Sequence, residues 1–310
     1  MTFNDINILA SQRKPFLFIS DFKAQNLKVI PLDTIEDIDF QMEENYTHKC
    51  HTSTLNKTPI DFTKYEKKFQ KIIEKIKSGD TYLLNLTAAT KIETPLTLKK
   101  IYENANAKYK LRYKDEFVCF SPEQFIKIQN AKIHTYPMKG TIDASIDNAK
   151  EKILADEKEM AEHIMVVDLL RNDLSIKATN VKVEEFRYFS EIEAGDKKLL
   201  QVSSHISGDL NADWHDSLGD ILESLLPAGS ISGTPKKSTL KIIEEVEGYD
   251  RGYFSGVFGV YDGESFDSAV MIRFIEKVKG TYIYKSGGGI TLDSNAKLEY
   301  NELIDKIYLP

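Results

Sequence analysis

The stretch YFSGVFGVYDGESFDSAVMIRFIEKVKGTYIYKSGGGI, residues 253–290, decides the fold class. It reads as a run of strands over Tyr253–Tyr261, Ser265–Glu276 and Thr281–Lys285, and a closing helix is expected over Asn295–Tyr308. Upstream, Phe69, Ile72, Ile73 and Ile76 recur at helical spacing, with Gly79 where a C-terminal cap belongs. Strands are expected over Tyr82–Thr90, Phe117–Phe120, Gln124–Gln129 and Ile133–Tyr136, the last two joined by a turn at Asn130-Ala131. One long helix is predicted over about Asn148–Leu170. Strands near Val181–Ser190 and Leu199–Leu210 follow, then helices near Trp214–Leu225 and Pro235–Glu247. Grouped antiparallel strands interrupted by helices make the chain α+β rather than a doubly wound parallel sheet. Residues 1–60 are the least legible, with one apolar run at Phe16–Ile19. They are expected to form an abbreviated N-terminal segment packed on a main domain over residues 61–310.

The 310 residues are 41% hydrophobic and 29% charged, the balance of a soluble globular chain rather than a disordered one. A formal net charge of −7 repels nucleic acid and anionic membrane in bulk, so neither is an expected partner, and any basic site must be local. There is no signal-peptide apolar core at the N-terminus and no apolar run long enough for a membrane span, so a cytoplasmic protein is expected. Two cysteines, Cys50 and Cys119, make a disulfide framework unexpected. His48, Cys50 and His51 cluster without a second ligand pair at zinc spacing and read as a polar loop.

Three groups of residues could carry chemistry. In SPEQFIKIQNAKIHTYPMKGT a hairpin turn near Asn130 sets Glu123 opposite Lys139 or within about one residue of it. Pro137, Gly140 and Thr141 mark an irregular strand end, where side chains are often aimed into a site. A cross-strand surface ion pair is the commoner fate of such a pair. Glu159 and Glu162 share one helix face, and Glu299 and Glu302 repeat the spacing. Two such doublets facing one pocket would suit Mg²⁺ bridging an anion, while solvated faces, with Glu302 and Lys306 as an i,i+4 pair, are the bland alternative. The glycine-containing segments LPAGSISGTPKKS and KSGGGITLDSNAK lack nucleotide-binding spacing. Gly287, Gly288 and Gly289 could turn backbone N–H groups toward a carboxylate, although a glycine turn without a ligand is the simpler reading of one run. Arg273 lies on an otherwise apolar strand and would need an anion.

Taken in order, GDTYLLNLT, SPEQF, YPMKGT, AEHIMVVDLLRNDL, LPAGSISGTPK, RGYFSGVFGVYD, MIRF and SGGGITLDS…EYNE resemble the chorismate-utilising enzymes. That family contains anthranilate synthase component I, isochorismate and salicylate synthases and aminodeoxychorismate synthase component I. The resemblance covers about residues 61–308. It implies a large sandwich of two antiparallel-sheet subdomains with flanking helices, and the active site between them. Lys139 stands where the aminodeoxychorismate synthases carry a nucleophilic lysine, and Ser230 also fits that branch. The implied activity is therefore Mg²⁺-dependent amination of chorismate at C4, on the route to p-aminobenzoate and folate, with anthranilate synthase component I or a catalytically silent chorismate-binding regulatory paralogue as the alternatives.

By the same resemblance Glu123 matches an acid/base glutamate, Glu162 and Glu302 match magnesium ligands, and Glu159 and Glu299 match supporting carboxylates. Arg273 matches the arginine on the pyruvyl carboxylate, and the amides of Gly287, Gly288 and Gly289 match those facing the ring carboxylate. Ser230, Lys236, Gln201 and Thr141 complete the expected substrate contacts. A neutral Lys139 amine would be required, so burial or nearby positive charge should lower its pKa, and Glu123 should titrate near neutrality. Departures stand at Gln201, where the family typically has histidine, at Phe254, where tyrosine is frequent, and at Leu83, where glutamine is frequent. Neither Cys50 nor Cys119 has the setting of a glutaminase nucleophile, so a separate glutamine amidotransferase subunit is the expected partner.

Overall fold

Strand Phe16–Ser20 is buried along its whole length because both of its faces are packed. Phe16 and Phe18 join one apolar cluster and Leu17 and Ile19 another, as the two-residue repeat of a strand requires. Full burial of one such side chain contributes roughly 1.5–3 kcal/mol. In the computed structural model, which describes residues 1–43, 54–194 and 197–309, this strand pairs with Val257–Tyr261 and with Leu27–Pro31.

Two antiparallel sheets form the architecture. Among the described residues the first has nine strands. Its order is Met138–Asp143, Lys197–Asp209, Lys132–Thr135, Gln124–Gln129, Phe266–Val270, Val257–Tyr261, Phe16–Ser20 and Leu27–Pro31, with Thr179–Ala194 also paired to Lys197–Asp209. The second, of eight strands, runs Gly233–Thr234, Leu83–Glu93, Thr281–Ile290, Phe274–Val278, Phe117–Ser121, Tyr109–Tyr113 and Ile38–Gln41, with Asn56–Thr58 beside Leu83–Glu93. Leu17, Ile19 and Phe258 of the first sheet and Leu111, Cys119 and Phe274 of the second share one core cluster. The first sixty residues therefore supply strands to both sheets.

Helix Phe62–Lys77 begins where Asp61 accepts the amides of Thr63 and Lys64, and Gly79, at φ +80°, follows its end. Its buried face is Tyr65, Phe69, Ile72, Ile73 and Ile76. The single helix expected over residues 148–170 is two, Ala149–Ala155 and Glu157–Leu174. Asp156 leaves the helical region and its carboxylate caps the Glu159 amide, so the chain restarts there.

The expected strand Ser265–Glu276 is also two. Phe266–Val270 belongs to the first sheet and Phe274–Val278 to the second, and the chain changes sheets at Met271-Ile272-Arg273, with Arg273 at φ +50°. Both halves are buried, so their apolar pattern runs on unbroken. A second change of sheet, at Pro122-Glu123, joins Phe117–Ser121 to Gln124–Gln129. The two crossings are hydrogen-bonded, Phe120 N–H to Ile272 O at 3.2 Å and Val270 N–H to Glu123 O at 3.1 Å.

Candidate active site

These paired crossings set Glu123 and Arg273 in the wall of one cavity of about 510 Å³. Both side chains thus come from the points where the chain passes from one sheet to the other. The Ser230 hydroxyl donates to Glu123 Oε1. Burial pushes the Glu123 carboxyl above its ordinary value, against the lowering effects of the Ser230 hydrogen bond and of the Arg273, Lys306 and Lys139 charges. Arg273 donates through Nε to the Tyr308 hydroxyl at 3.3 Å.

Lys139 reaches the cavity by a bulge. Met138 pairs with Ser203 and Thr141 with Gln201, so Lys139 and Gly140 together face a single residue of the partner strand. Gly140 sits at φ +90°, a conformation that disfavours a Cβ. The hairpin register ends before this point, and Lys139 belongs to a strand of its own rather than standing opposite Glu123. Its Nζ instead lies 2.6 Å from Glu162 Oε2. Burial would lower its pKa, but Glu162, with Glu159 and Glu302 behind it, overcomes burial and raises it. The lowered amine pKa expected from the sequence is therefore corrected for this state: three carboxylates outweigh desolvation. Lys306 shows the opposite balance, with burial, Arg273 and Lys139 outweighing Glu302 and lowering its pKa.

The carboxylates approach from two helices. Glu159 and Glu162 come from Glu157–Leu174, and Glu299 and Glu302 from Ala296–Asp305. Glu162 and Glu299 are buried, and Glu299 accepts the Ser294 hydroxyl at 2.8 Å. A Cβ placed on Gly288 would lie 3.4 Å from Glu299 Oε2 and 3.6 Å from Glu302 Oε1. One placed on Gly289 would lie 3.6 Å from Lys139 Nζ. The glycine triad is not the turn expected as the simpler reading but the end of strand Thr281–Ile290, paired to Leu83–Glu93. Along Thr281–Ile290 the pairing with Phe274–Val278 stops at Lys285, which leaves the other edge of the glycines without a strand neighbour among the described residues. Backbone groups on that edge can serve a ligand carboxylate.

Glu162, Glu299 and Glu302 offer oxygen donors suited to a hard divalent cation. As they stand, no three carboxylate, imidazole or thiol groups among the described residues converge on one ion position. Two ammonium groups are interposed instead, Lys139 on Glu162 and Lys306 on Glu302, each at 2.6 Å. The donor set fits a divalent cation that would take the place of these ammonium groups.

Ser230, Thr141 and Gln201 also line the cavity, as do Leu83 and Phe254. Lys236 does not. Its Nζ is turned to Asp173 at 3.1 Å and to the Leu225 carbonyl at 3.0 Å. The expected His48, Cys50 and His51 loop lies outside the described residues. Cys119 is fully buried, and burial drives its thiol pKa up.

Several residues in or behind the wall of this site escaped the sequence reading. His163, beside Glu162, is fully buried and shares a hydrogen bond of 2.7 Å with Ser204. Desolvation lowers its pKa to about 4, so it is neutral. Arg251 is buried against Glu247 and donates to the carbonyls of Ile231 and Asn85, tying the Ser230 turn to strand Leu83–Glu93. Its i,i+4 spacing from Glu247 looks in sequence like any exposed helical pair. Tyr284, Lys285 and Ser286 immediately precede the glycine run and also line the cavity.

The family model described as chorismate binding enzyme matches residues 13–309. The chain belongs to the chorismate-binding enzymes. It is 45% identical over 98% of its length to an uncharacterised PabA-like protein of Haemophilus influenzae, covering 94% of that protein. Aminodeoxychorismate synthase component 1 of Bacillus subtilis is 27% identical, the match covering 99% of this chain and 68% of that one. The crystal structure of anthranilate synthase component I from Streptococcus pneumoniae superposes with a TM-score of 0.71 at 26% identity, over 87% of this chain and 60% of that chain. The chorismate-binding match takes in all but the first twelve residues and the last, so it includes the N-terminal strands that the motif resemblance did not reach. Among the described residues no helix is long and apolar enough to cross a membrane.

Proposed function

We propose that this chorismate-binding enzyme aminates chorismate at C4, forming 4-amino-4-deoxychorismate from ammonia delivered by a separate glutamine amidotransferase subunit. The observation that carries the reading is the amine of Lys139, held by a bulge in the same cavity as Glu123, Arg273 and the glycine edge. An anthranilate-forming or merely binding site has no need of a nucleophile there.

Chorismate is a dianion, and this cavity offers it two cationic or amide-lined ends. Arg273 would take the enolpyruvyl carboxylate and the glycine edge the ring carboxylate. Glu162 and Glu302, with Glu159 and Glu299 in support, would hold Mg²⁺, whose positive charge would let the ring carboxylate approach these acids. Lys139, after losing one proton to solvent, donates its electron pair to ring C2. The ring diene shifts, and the C4–O bond breaks. The hydroxyl leaves as water on taking the Glu123 proton, which burial of that carboxyl retains toward higher pH. Ammonia then bonds to C4 and gives a proton to Glu123, while the diene shifts back and the C2–N bond breaks to release Lys139. Buried Leu83, beside Gly289, presents an apolar side chain near the lysine and helps keep bulk water from competing.

The test is product analysis of the purified chain with chorismate, Mg²⁺ and ammonium. Formation of 4-amino-4-deoxychorismate is expected. Anthranilate with pyruvate, isochorismate, or unchanged chorismate would each refute the assignment.

A further inference from the structure

Tyr284 is fully buried in the wall of the cavity, and its hydroxyl has no hydrogen-bond partner among the described residues. The Tyr308 backbone lies nearby without adequate hydrogen-bond geometry. Buried hydroxyls are normally paired, because a donor stripped of water and left unmatched destabilises the fold. An orphan at a binding cavity is therefore a donor whose partner is the ligand.

Its surroundings identify that ligand group. Tyr284 interacts electrostatically with Arg273, and the guanidinium is flanked also by Tyr308 and Glu123. Arg273 makes one side-chain hydrogen bond among the described residues, through Nε to Tyr308, while a guanidinium has five N–H donors. Two unfilled donor groups of different strength thus stand together, one charged and one neutral. A carboxylate, with about four acceptor positions on two oxygens, can satisfy both. On another part of the same wall Phe254 presents a ring without a hydroxyl, where tyrosine is frequent in the resembling enzymes.

We propose that the Tyr284 hydroxyl binds the same substrate carboxylate as Arg273, supplying from strand Thr281–Ile290 a neutral donor beside the charged one. This rests on the assignment of the enolpyruvyl carboxylate to Arg273. Burial drives the phenol pKa up, so the group remains a proton donor at any physiological pH. It also explains why a tyrosine is tolerated in an apolar setting of Ile275, Phe120 and Ile307 with its hydroxyl unmatched. The ligand supplies the partner that the fold withholds.

The experiment measures chorismate affinity by calorimetry, with Mg²⁺ present and ammonia withheld, for the wild type and Tyr284→Phe, together with the melting temperature of each unliganded protein. Tyr284→Phe should bind chorismate roughly tenfold or more weakly, the usual loss for a hydrogen bond to a charged group. Its unliganded melting temperature should equal or exceed that of the wild type, since an unmatched hydroxyl has been removed. An unchanged affinity would overturn the proposal, and so would a weakened affinity accompanied by a lowered melting temperature, which marks a structural role. Wild-type protein that fails to bind chorismate would instead overturn the functional reading itself, and this proposal with it.

Discussion

Lys139 Nζ lies 2.6 Å from Glu162 Oε2, so the candidate nucleophile and a candidate metal ligand neutralise one another. A cation entering among the glutamates must part this pair and the Lys306–Glu302 pair. Removing the competing ammonium should therefore favour the cation. Lys139→Ala is expected to bind Mg²⁺ several-fold more tightly than the wild type when no substrate is present, read by calorimetry. Weaker binding by the variant would remove Glu162 from the metal assignment.

Mg²⁺ and chorismate should raise each other's affinity by the same factor, because each relieves charge that the other meets. Glu302→Gln should reduce that coupling by about tenfold, within the usual range of such linkage. The check is Mg²⁺ titration with and without chorismate. Full activity of the wild type in excess chelator would contradict the role of these carboxylates.

The glycine edge separates fold from function at adjacent positions. A Cβ on Gly287 would stand 2.4 Å from the Leu86 carbonyl oxygen, so Gly287→Ala should destabilise the protein by about 2 kcal/mol or more through backbone displacement. A Cβ on Gly288 meets only ordinary contacts, at 3.4 and 3.6 Å from the carboxylates. Gly288→Ala should keep its melting temperature and raise KM for chorismate, because the methyl group takes the ligand's space. Equal thermal losses in both variants would show that the glycines serve packing alone.

Much of this arrangement was readable before the fold was known, for identifiable reasons. The helix at Phe62–Lys77 followed from its apolar spacing, and the α+β class followed from grouped strands. What the sequence hid were the changes of sheet at Pro122-Glu123 and Met271–Arg273. A strand buried on both faces has no alternation, so a crossing within an apolar run leaves no mark except the charged residue itself. The Lys139 bulge was signalled by Pro137 and Gly140, but its partner was not, because Glu162 comes from a helix. Lys236 misled for the converse reason: a lysine near a glycine turn looks ligand-directed until Asp173 and the Leu225 carbonyl are seen to hold it.

Glu123 gives a pH prediction with a definite sign. Its native pKa lies above the ordinary value near 4.5, so the folded chain takes the proton before the unfolded chain does. Protonation of this group therefore adds stability as pH falls toward the unfolded value, and its ionisation opposes folding at higher pH. Glu123→Gln, which mimics the protonated form, should melt higher than the wild type at pH 8, and the gain should fade toward pH 4.5. The same variant should lose amination. A melting temperature unchanged at every pH would mean that the carboxyl is not desolvated.

The nitrogen source distinguishes one chain from two. Cys119 is buried with its thiol held protonated, so no described cysteine can activate glutamine. The purified chain should turn over with ammonium and not with glutamine. Glutamine-dependent turnover by the chain alone would overturn the partner assignment and make Cys50 the first residue to mutate.

The central claim is amination through Lys139, and a single-turnover comparison of wild type and Lys139→Ala tests it most directly. Each is mixed with chorismate, Mg²⁺ and ammonium, and the products are identified, with chorismate binding measured in parallel. The wild type is predicted to form 4-amino-4-deoxychorismate, and Lys139→Ala to bind chorismate without forming it. Undiminished formation of that product by Lys139→Ala would contradict the account.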